Sequence, residues 1–271
     1  RKRHRLDRRD RPALLHGRAA AQNEMPTTRQ APPSLCAQFD VVAATVQSLV
    51  PSATAGGDVS VPIELGGTVF TLALQPHDVR APGFRLIERD ALGEHVLPTP
   101  PSVTYRGFLL EDPASWAAAT LVGGSLTAVL HAGTGDGWAV QPIAAARRAA
   151  GPGAHIVYRT ADNANLPWTC GVQGHLSGSV PPPISTDVSY ICQIAIEADR
   201  AYYQLNGSNT TNTQNDVTGV INAVSAIYQN DVQIQHQITQ IIVDTATDPY
   251  TTSVAGNLLS EFAAEWNTNR L

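Results

Sequence analysis

The sequence is poor in cysteine and in charged residues. Its 3 cysteines are Cys36, Cys170 and Cys192, an odd number with wide spacing. That pattern excludes a disulfide framework, and the lack of a C-x-x-C pair excludes a zinc ribbon. Charged residues make up 15% and hydrophobic residues 43%, an ordinary globular mixture rather than a disordered or fibrous one. At 271 residues, the length predicts about two domains.

Long apolar runs are also missing. No stretch approaches ~18 consecutive apolar residues, so the sequence predicts no transmembrane segment. The chain starts at Arg1, and the apolar pieces that follow are shorter than the ~7–15-residue core of a signal peptide. Secretion therefore cannot be read from this end or excluded by it.

Charge is divided unevenly along the chain. Residues 1–30 hold nine Lys/Arg and three Asp/Glu, whereas the remaining residues hold nine basic and twenty acidic side chains. A uniformly basic nucleic-acid binder and a polybasic membrane binder are therefore excluded. Residues 1–35 are rich in arginine, are interrupted by prolines and show no helix or strand period, so we interpret them as a disordered basic leader.

Residues 36–172 are predicted to form a β-rich domain, sandwich-like or barrel-like, because short apolar strands alternate with glycine turns. Gly66-Gly67 predicts a tight hairpin, and Gly123-Gly124 predicts a turn. Gly133–Gly137 is interpreted as a hairpin loop, since no phosphate-loop Lys-Ser/Thr and no helix follow it. The strands are predicted at Val59–Leu65, Thr68–Leu74, Phe84–Glu88, Val103–Leu110, Trp116–Val122, Leu126–His131, Trp138–Gln141 and His155–Arg159.

A Gly/Pro/Ser-rich linker over residues 173–186 separates this domain from residues 187–271. There the periodicity predicts a strand from Val188, a short helix over Asp199–Asn206, a long amphipathic helix carrying Val217 to Tyr228, a strand over Val232–Ile242 and a helix around Val254–Trp266. The order β-α-β-α is typical of the start of an α/β domain, so the fold class is α+β overall. Two strands cannot close a sheet, which predicts that this second domain is incomplete.

Most side chains that could carry chemistry have a structural interpretation. The chain has no G-x-S-x-G elbow and no H-x-x-x-H pair, so no catalytic or cofactor-binding residue is predicted in it. His236 is interpreted as a partly buried core histidine, and Tyr202 and Tyr203 as packing residues. Glu111-Asp112 is interpreted as a solvated strand end, because adjacent side chains in a strand point to opposite faces.

Cys170 differs because it lies in a loop-like stretch, Pro167-Trp-Thr-Cys170-Gly-Val172, just before the linker. By itself it is either a fortuitous free thiol or a functional one. The stretch resembles the cysteine switch of ADAM and snake-venom-type (reprolysin, adamalysin-like) zinc metalloproteases, which are metzincins. The likeness covers about residues 58–271, most closely to bacterial members, and rests on Tyr105-Arg-Gly107, Glu111-Asp-Pro113, Gly123-Gly124, Val129-Leu-His131, Ile194 to Asp199, Tyr202-Tyr203, Ile227 to Val232, Asp248-Pro-Tyr250 and Phe262 to Asn267.

The resemblance implies a secreted zymogen that hydrolyses proteins or peptides with a zinc-activated water. It implies that Cys170 is the inhibitory zinc ligand of the latent form, since a thiolate would take the position of that water. It also implies an activating protease that cuts in the 173–186 linker. The zinc-binding H-E-x-x-H segment would lie beyond Leu271, so the chain as given is expected to be inactive.

The sequence departs from this family at several positions. Trp168 and Thr169 stand where a basic residue is common in the switch. Gln193 stands where venom enzymes have a calcium-binding Glu, which argues against a Ca2+ site. Cys192 falls on the apolar face of its strand and is predicted to be a core thiol. The rival hypotheses are a non-enzymatic extracellular binding module and a pseudo-protease.

Overall fold

The structure is a computed structural model that describes residues 26–54, 56–143, 153–164, 190–246, 248–252 and 254–269. The helices are α1 Pro33–Cys36, α2 Arg200–Leu205, α3 Thr210–Val232 and α4 Ala255–Asn269. The strands are β1 Thr28–Gln30, β2 Thr45–Ser48, β3 Ser52–Ala53, β4 Val59–Leu65, β5 Thr68–Pro76, β6 Arg80–Asp90, β7 Gly93–Leu97, β8 Thr104–Leu109, β9 Asp112–Val122, β10 Ser125–His131, β11 Gly137–Pro142, β12 Ala154–Arg159, β13 Tyr190–Ala198 and β14 Ile234–Asp244.

Residues 26–164, which we call the β-rich half, are built on one 10-stranded sheet in the order β1-β2-β12-β11-β10-β9-β8-β5-β4-β3. All of its strand pairs are antiparallel. The sheet curls around a core in which Ile63, Leu72 and Leu126 are fully buried. The predicted strands and the barrel-like character are therefore confirmed.

Glycines shape the sheet at its turns and at one close approach. The hairpin predicted at Gly66-Gly67 joins β4 to β5, and both residues have positive φ, 60° and 85°. Gly107 on β8 meets a different constraint: a Cβ there would overlap the carbonyl of Ala73 on β5 and lie 2.8 Å from its carbon. Only glycine lets the two backbones approach this closely.

Part of the stretch interpreted from the sequence as a disordered leader forms secondary structure. β1 pairs with β2, and α1 buries Leu35 and Cys36. These side chains pack in a second cluster with Ile156 and Tyr158 of β12. The structured β-rich half therefore starts before residue 36, while residues 1–25 lie outside the described residues.

A second sheet combines strands from both ends of the chain. Its order is β13-β14-β6-β7, with β14 parallel to both β13 and β6. β6 and β7 form an antiparallel hairpin of the β-rich half. The expected pair β13 and β14 is confirmed, but the sheet is not limited to it, because the hairpin supplies two further strands.

The helices begin at the caps that the sequence offers. The side chain of Asp199 accepts from the N–H of Tyr202 at the start of α2, and that of Asn209 accepts from Asn212 at the start of α3. α3 packs on β14 and on the β8–β10 face of the curled sheet. None of the described helices is long and apolar enough to cross a membrane.

The buried face of α3 includes Val217 of the predicted apolar stripe, but most of its residues are small or polar. The buried residues include Thr213, Thr218 and Ser225, whereas Val220 and Tyr228 are 52% and 46% exposed. Small and polar residues allow a close approach of helix and sheet, and a Cβ on Gly219 would lie 2.7 Å from the Oγ1 of Thr120 on β9. Close packing against the β-rich half thus determines the orientation of this helix.

The protein is therefore an α+β fold, with a curled β-rich sheet followed by a mixed β-α region. The boundary predicted at residues 173–186 lies outside the described residues, as do residues 144–152.

Candidate functional site

Cys170, the predicted inhibitory metal ligand, lies outside the described residues, together with the rest of the 165–189 stretch. The site that the structure does describe is a charged cluster of Arg89, Glu197 and Asp244. It lies on the second sheet, β13-β14-β6-β7, which we call the shared sheet because both ends of the chain contribute strands to it. Arg89 comes from β6, Glu197 from β13 and Asp244 from the end of β14.

The guanidinium of Arg89 contacts both carboxylates. Its Nε and Nη2 donate to the two oxygens of Asp244 at 2.5 and 2.7 Å, and Nη2 also donates to Glu197 Oε1 at 2.5 Å. Its Nη1 lies 3.3 Å from Glu265 on α4. The side chains of Glu197 and Asp244 are 1% and 0% exposed. Such buried carboxylates need a cation, and Arg89 supplies it in a bidentate geometry.

The pKa values in this cluster show opposing forces. Burial raises the pKa of Asp244 to about 6, and the nearby Glu197 adds to this, although Arg89 opposes both. Burial alone would lower the pKa of Arg89, but the hydrogen bonds and charges of Asp244 and Glu197 raise it above its ordinary value. Arg89 is therefore a permanent cation, whereas Asp244 takes up a proton more easily than an exposed aspartate.

Two aromatic side chains also donate hydrogen bonds to the carboxylate of Glu197. Tyr250 donates its hydroxyl to Oε1 at 2.8 Å, and Trp266 of α4 donates its indole N–H to Oε2 at 2.7 Å. Burial and the neighbouring Glu197 raise the pKa of Tyr250, so it remains a donor. The cluster thus ties α4 and the chain before it to the shared sheet.

An apolar groove of about 520 Å³ lies beside the cluster, between α2, α3 and α4. Val217, Val220 and Ile221 of α3 line one side, and Leu258 and Phe262 of α4 line the other. The first part of the apolar stripe of α3 therefore lines this groove.

A second polar contact joins α3 to the curled sheet. Asn222, 1% exposed, donates through its Nδ2 to the carbonyls of Tyr105 and Ala119, which are partners in the β8–β9 register. Its Oδ1 accepts from Arg106 Nε at 2.7 Å. Burial lowers the pKa of Arg106 to about 10. One asparagine thus satisfies backbone groups of two strands.

The described residues do not fit a bound metal ion. No group of three or more His, Cys, Asp or Glu side chains in the described part is arranged to hold one. The carboxylates of Glu197, Asp244 and Glu265 converge, but the guanidinium of Arg89 lies among them. No catalytic step is therefore assigned to these residues.

The other candidate side chains have local structural contacts. Glu111 accepts from the N–H of Thr71, and Asp112 accepts from the N–H of Gly133, so this pair fixes backbone rather than performing acid-base work. Tyr202 donates to Asp216. His236 is half-buried and stacks edge to face on Tyr228, but its buried Nδ1 has no hydrogen-bond partner among the described residues.

The prediction that Cys192 is a core thiol is wrong. Cys192 is a free, exposed cysteine. The first residues of β13 are all exposed, and burial begins only at Ile194. Cys192 shares a face of β13 with Ile194 and Ile196, which pack on the core. The core covers this face only along the second half of the strand, so Cys192 stays exposed.

Comparison with known families identifies the C-terminal part of the chain. Residues 188–270, which hold β13, α2, α3, β14 and α4, match the family model Reprolysin_5, described as metallo-peptidase family M12. We call residues 188–270 the M12 segment, because the match to this family covers that range. The resemblance that the sequence indicated is confirmed over this M12 segment. A comparison with curated proteins gives no match.

Two residues of the charged cluster, Glu197 and Asp244, lie in the M12 segment, whereas Arg89 lies outside it. None of the three was predicted from the sequence. A signal was available for the carboxylates, because each one falls near the carboxyl end of an apolar strand, and such ends meet at one edge of a parallel sheet. No local pattern pointed to Arg89, which lies 155 residues before Asp244.

Proposed function

We propose that the protein is the precursor of a zinc-dependent metalloendopeptidase in which the β-rich half is an inhibitory pro-domain. The observation that carries this proposal is the M12 match over residues 188–270, directly after the switch-like stretch around Cys170. The contact between the β-rich half and the M12 segment supports it, because an inhibitory domain must bind the domain that it restrains.

Latency is proposed to depend on Cys170. A thiolate is a strong zinc ligand and excludes the water that zinc would otherwise activate for peptide hydrolysis. We propose that the zinc ligands follow the M12 segment and that cutting in residues 173–186 breaks the covalent link between the thiol and the enzyme. We propose protein or peptide substrates, an activating protease at this linker and an extracellular location.

The test compares the full-length precursor with its Cys170→Ala variant on casein, with and without a chelator. We expect the variant to hydrolyse casein without activation and the wild type to remain latent, with all activity lost on chelation. Cys192→Ala is the matched control, because Cys192 is also a free thiol, and it should stay latent.

Each other outcome contradicts a defined part of the proposal. Equal activity of the wild type and Cys170→Ala would show that Cys170 is not a switch. Absence of activity in all forms, including a precursor cut in the linker, would favour a pseudo-protease or a binding module. Activity that resists chelation would contradict a metallopeptidase.

A further inference from the structure

We propose that the β6–β7 hairpin is a docking element that keeps the β-rich half bound to the M12 segment after the chain between them has been cut. This noncovalent binding does not depend on Cys170, and Arg89 is its central residue. This inference rests on the proposed function for its biological meaning, since it makes cleavage and release separate steps of activation.

The first support is that the hairpin completes the sheet of the M12 segment. β6 pairs in parallel with β14 from Gln240, opposite Arg85, to Asp244, opposite Arg89. The N–H of Ile238 donates to the carbonyl of Val79 at one end, and the N–H of Thr245 donates to the backbone carbonyl of Arg89 at the other. Removing the hairpin would expose the backbone groups of β14 as an open edge.

The second support is the charge of the buried cluster. Both cluster carboxylates of the M12 segment are almost fully buried, and the guanidinium that lies between them comes from the β-rich half. If the hairpin left, Glu197 and Asp244 would remain side by side without it. Breaking a buried ion pair in this way is strongly unfavourable, so departure is opposed.

The third support is that the β-rich half contacts the M12 segment on a second side. α3 lies against β8 and β9 through Asn222 and through the close approach of Gly219 to Thr120. At its start, Thr210 donates to Glu88 on β6 at 2.6 Å. These contacts, like those of the hairpin, lie outside residues 165–189, so cutting that stretch does not remove them.

The experiment uses the full chain with the recognition sequence of a specific protease placed within residues 173–186. After complete cutting, gel filtration at micromolar and then at nanomolar concentration measures whether the two pieces elute together. We expect one equimolar complex at micromolar concentration. Pieces that separate at once at micromolar concentration would overturn the proposal.

Single substitutions identify the residues on which this binding depends. Arg89→Met should weaken the complex at least 10-fold, whereas Arg29→Met, at an exposed position of β1 in the 10-stranded sheet, should leave it within about 2-fold. Cys170→Ala should also leave it unchanged. A complex that depends on Cys170 and ignores Arg89 would overturn the proposal, and each variant is first checked for native circular dichroism before cutting.

If Arg89→Met does not fold, hydrogen exchange on the cut wild-type protein decides the question. The backbone amides of Ile238 and Thr245, which donate to the carbonyls of Val79 and Arg89, should stay as protected as in the uncut chain. Exchange of these amides at the rates of an open edge would overturn the docking. Neither measurement needs metal or substrate, so its result is separate from the casein test of the proposed function.

Discussion

Gln47 and Glu64 are joined by two hydrogen bonds although their strands lie near opposite ends of the 10-stranded sheet. Nε2 of Gln47 donates to the carbonyl of Glu64 at 2.7 Å, and Oε1 accepts from the N–H of the same residue at 2.9 Å. Gln47 is fully buried. One amide side chain thus takes the place of a strand partner where β2 and β4 meet, and it closes the curl of the sheet.

Replacing Gln47 by Met should destabilise the protein, because the N–H and carbonyl of Glu64 would lose their partner. Each buried polar group left unsatisfied costs about 1–3 kcal/mol. Urea unfolding should therefore show a loss of about 2–4 kcal/mol. Gln75→Met, on an exposed position of β5, is the matched control and should stay within about 0.5 kcal/mol. Similar values for both variants would mean that the bridge does not stabilise the fold.

Replacing Gly107 by Ala should be among the most damaging small substitutions in the β-rich half. The new methyl group would meet the backbone of Ala73, which cannot move without breaking the β5–β8 pairing. Overpacking of this kind costs about 1–3 kcal/mol or more. Gly256→Ala is the control, since no atom lies within 4 Å of its Cβ position at the start of α4.

Thermal or urea unfolding measures both glycine variants. The expected result is a large loss for Gly107→Ala and no loss for Gly256→Ala, because alanine is the better helix former by ~0.5–1 kcal/mol. Equal effects at the two sites would show that the close approach at Gly107 does not constrain the sheet.

Replacing Asp244 by Asn should change how stability depends on pH. The pKa of Asp244 is raised to about 6 by burial, above its value in the unfolded chain. Its contribution to stability is therefore fully present below about pH 4 and is lost as the pH rises through about 6. Asparagine does not titrate, so the variant should gain stability relative to the wild type between pH 4 and 6 and then level off.

Urea midpoints at several pH values test this sign. Asp90→Asn is the control: the N–H of Leu92 lowers the pKa of exposed Asp90, so its variant should show no such change between pH 4 and 6. A difference for Asp244→Asn that is flat, or that falls with rising pH, would mean that attraction to Arg89 outweighs burial.

Local patterns predicted most of the strands. Val59–Leu65 alternates and ends at Gly66-Gly67, so both the strand and its hairpin follow from neighbouring residues, and β4 has these same bounds. The helix at Ala255–Asn269 likewise follows from apolar spacing. Pairing of neighbouring strands needs little information beyond the turn between them.

Contacts between distant residues could not be predicted in this way. Nothing in the sequence around Arg89 indicates a partner at Asp244, because strand pairing at such a separation depends on the whole fold. The buried face of α3 was missed for a related reason: Asn222 is buried by strands that precede it by more than 100 residues. Periodicity shows which residues share a face, but it does not show what packs on that face.

The shared sheet also fixes an order of events during synthesis. Arg89 leaves the ribosome 155 residues before Asp244, which at translation rates of about 5–20 residues per second is roughly 8–30 s. During that interval the nascent chain contains the β6–β7 hairpin but not yet β14. When β14 emerges, the strand with which it pairs has already been synthesised, so we expect the β-rich half to act as a template for the folding of the later segment.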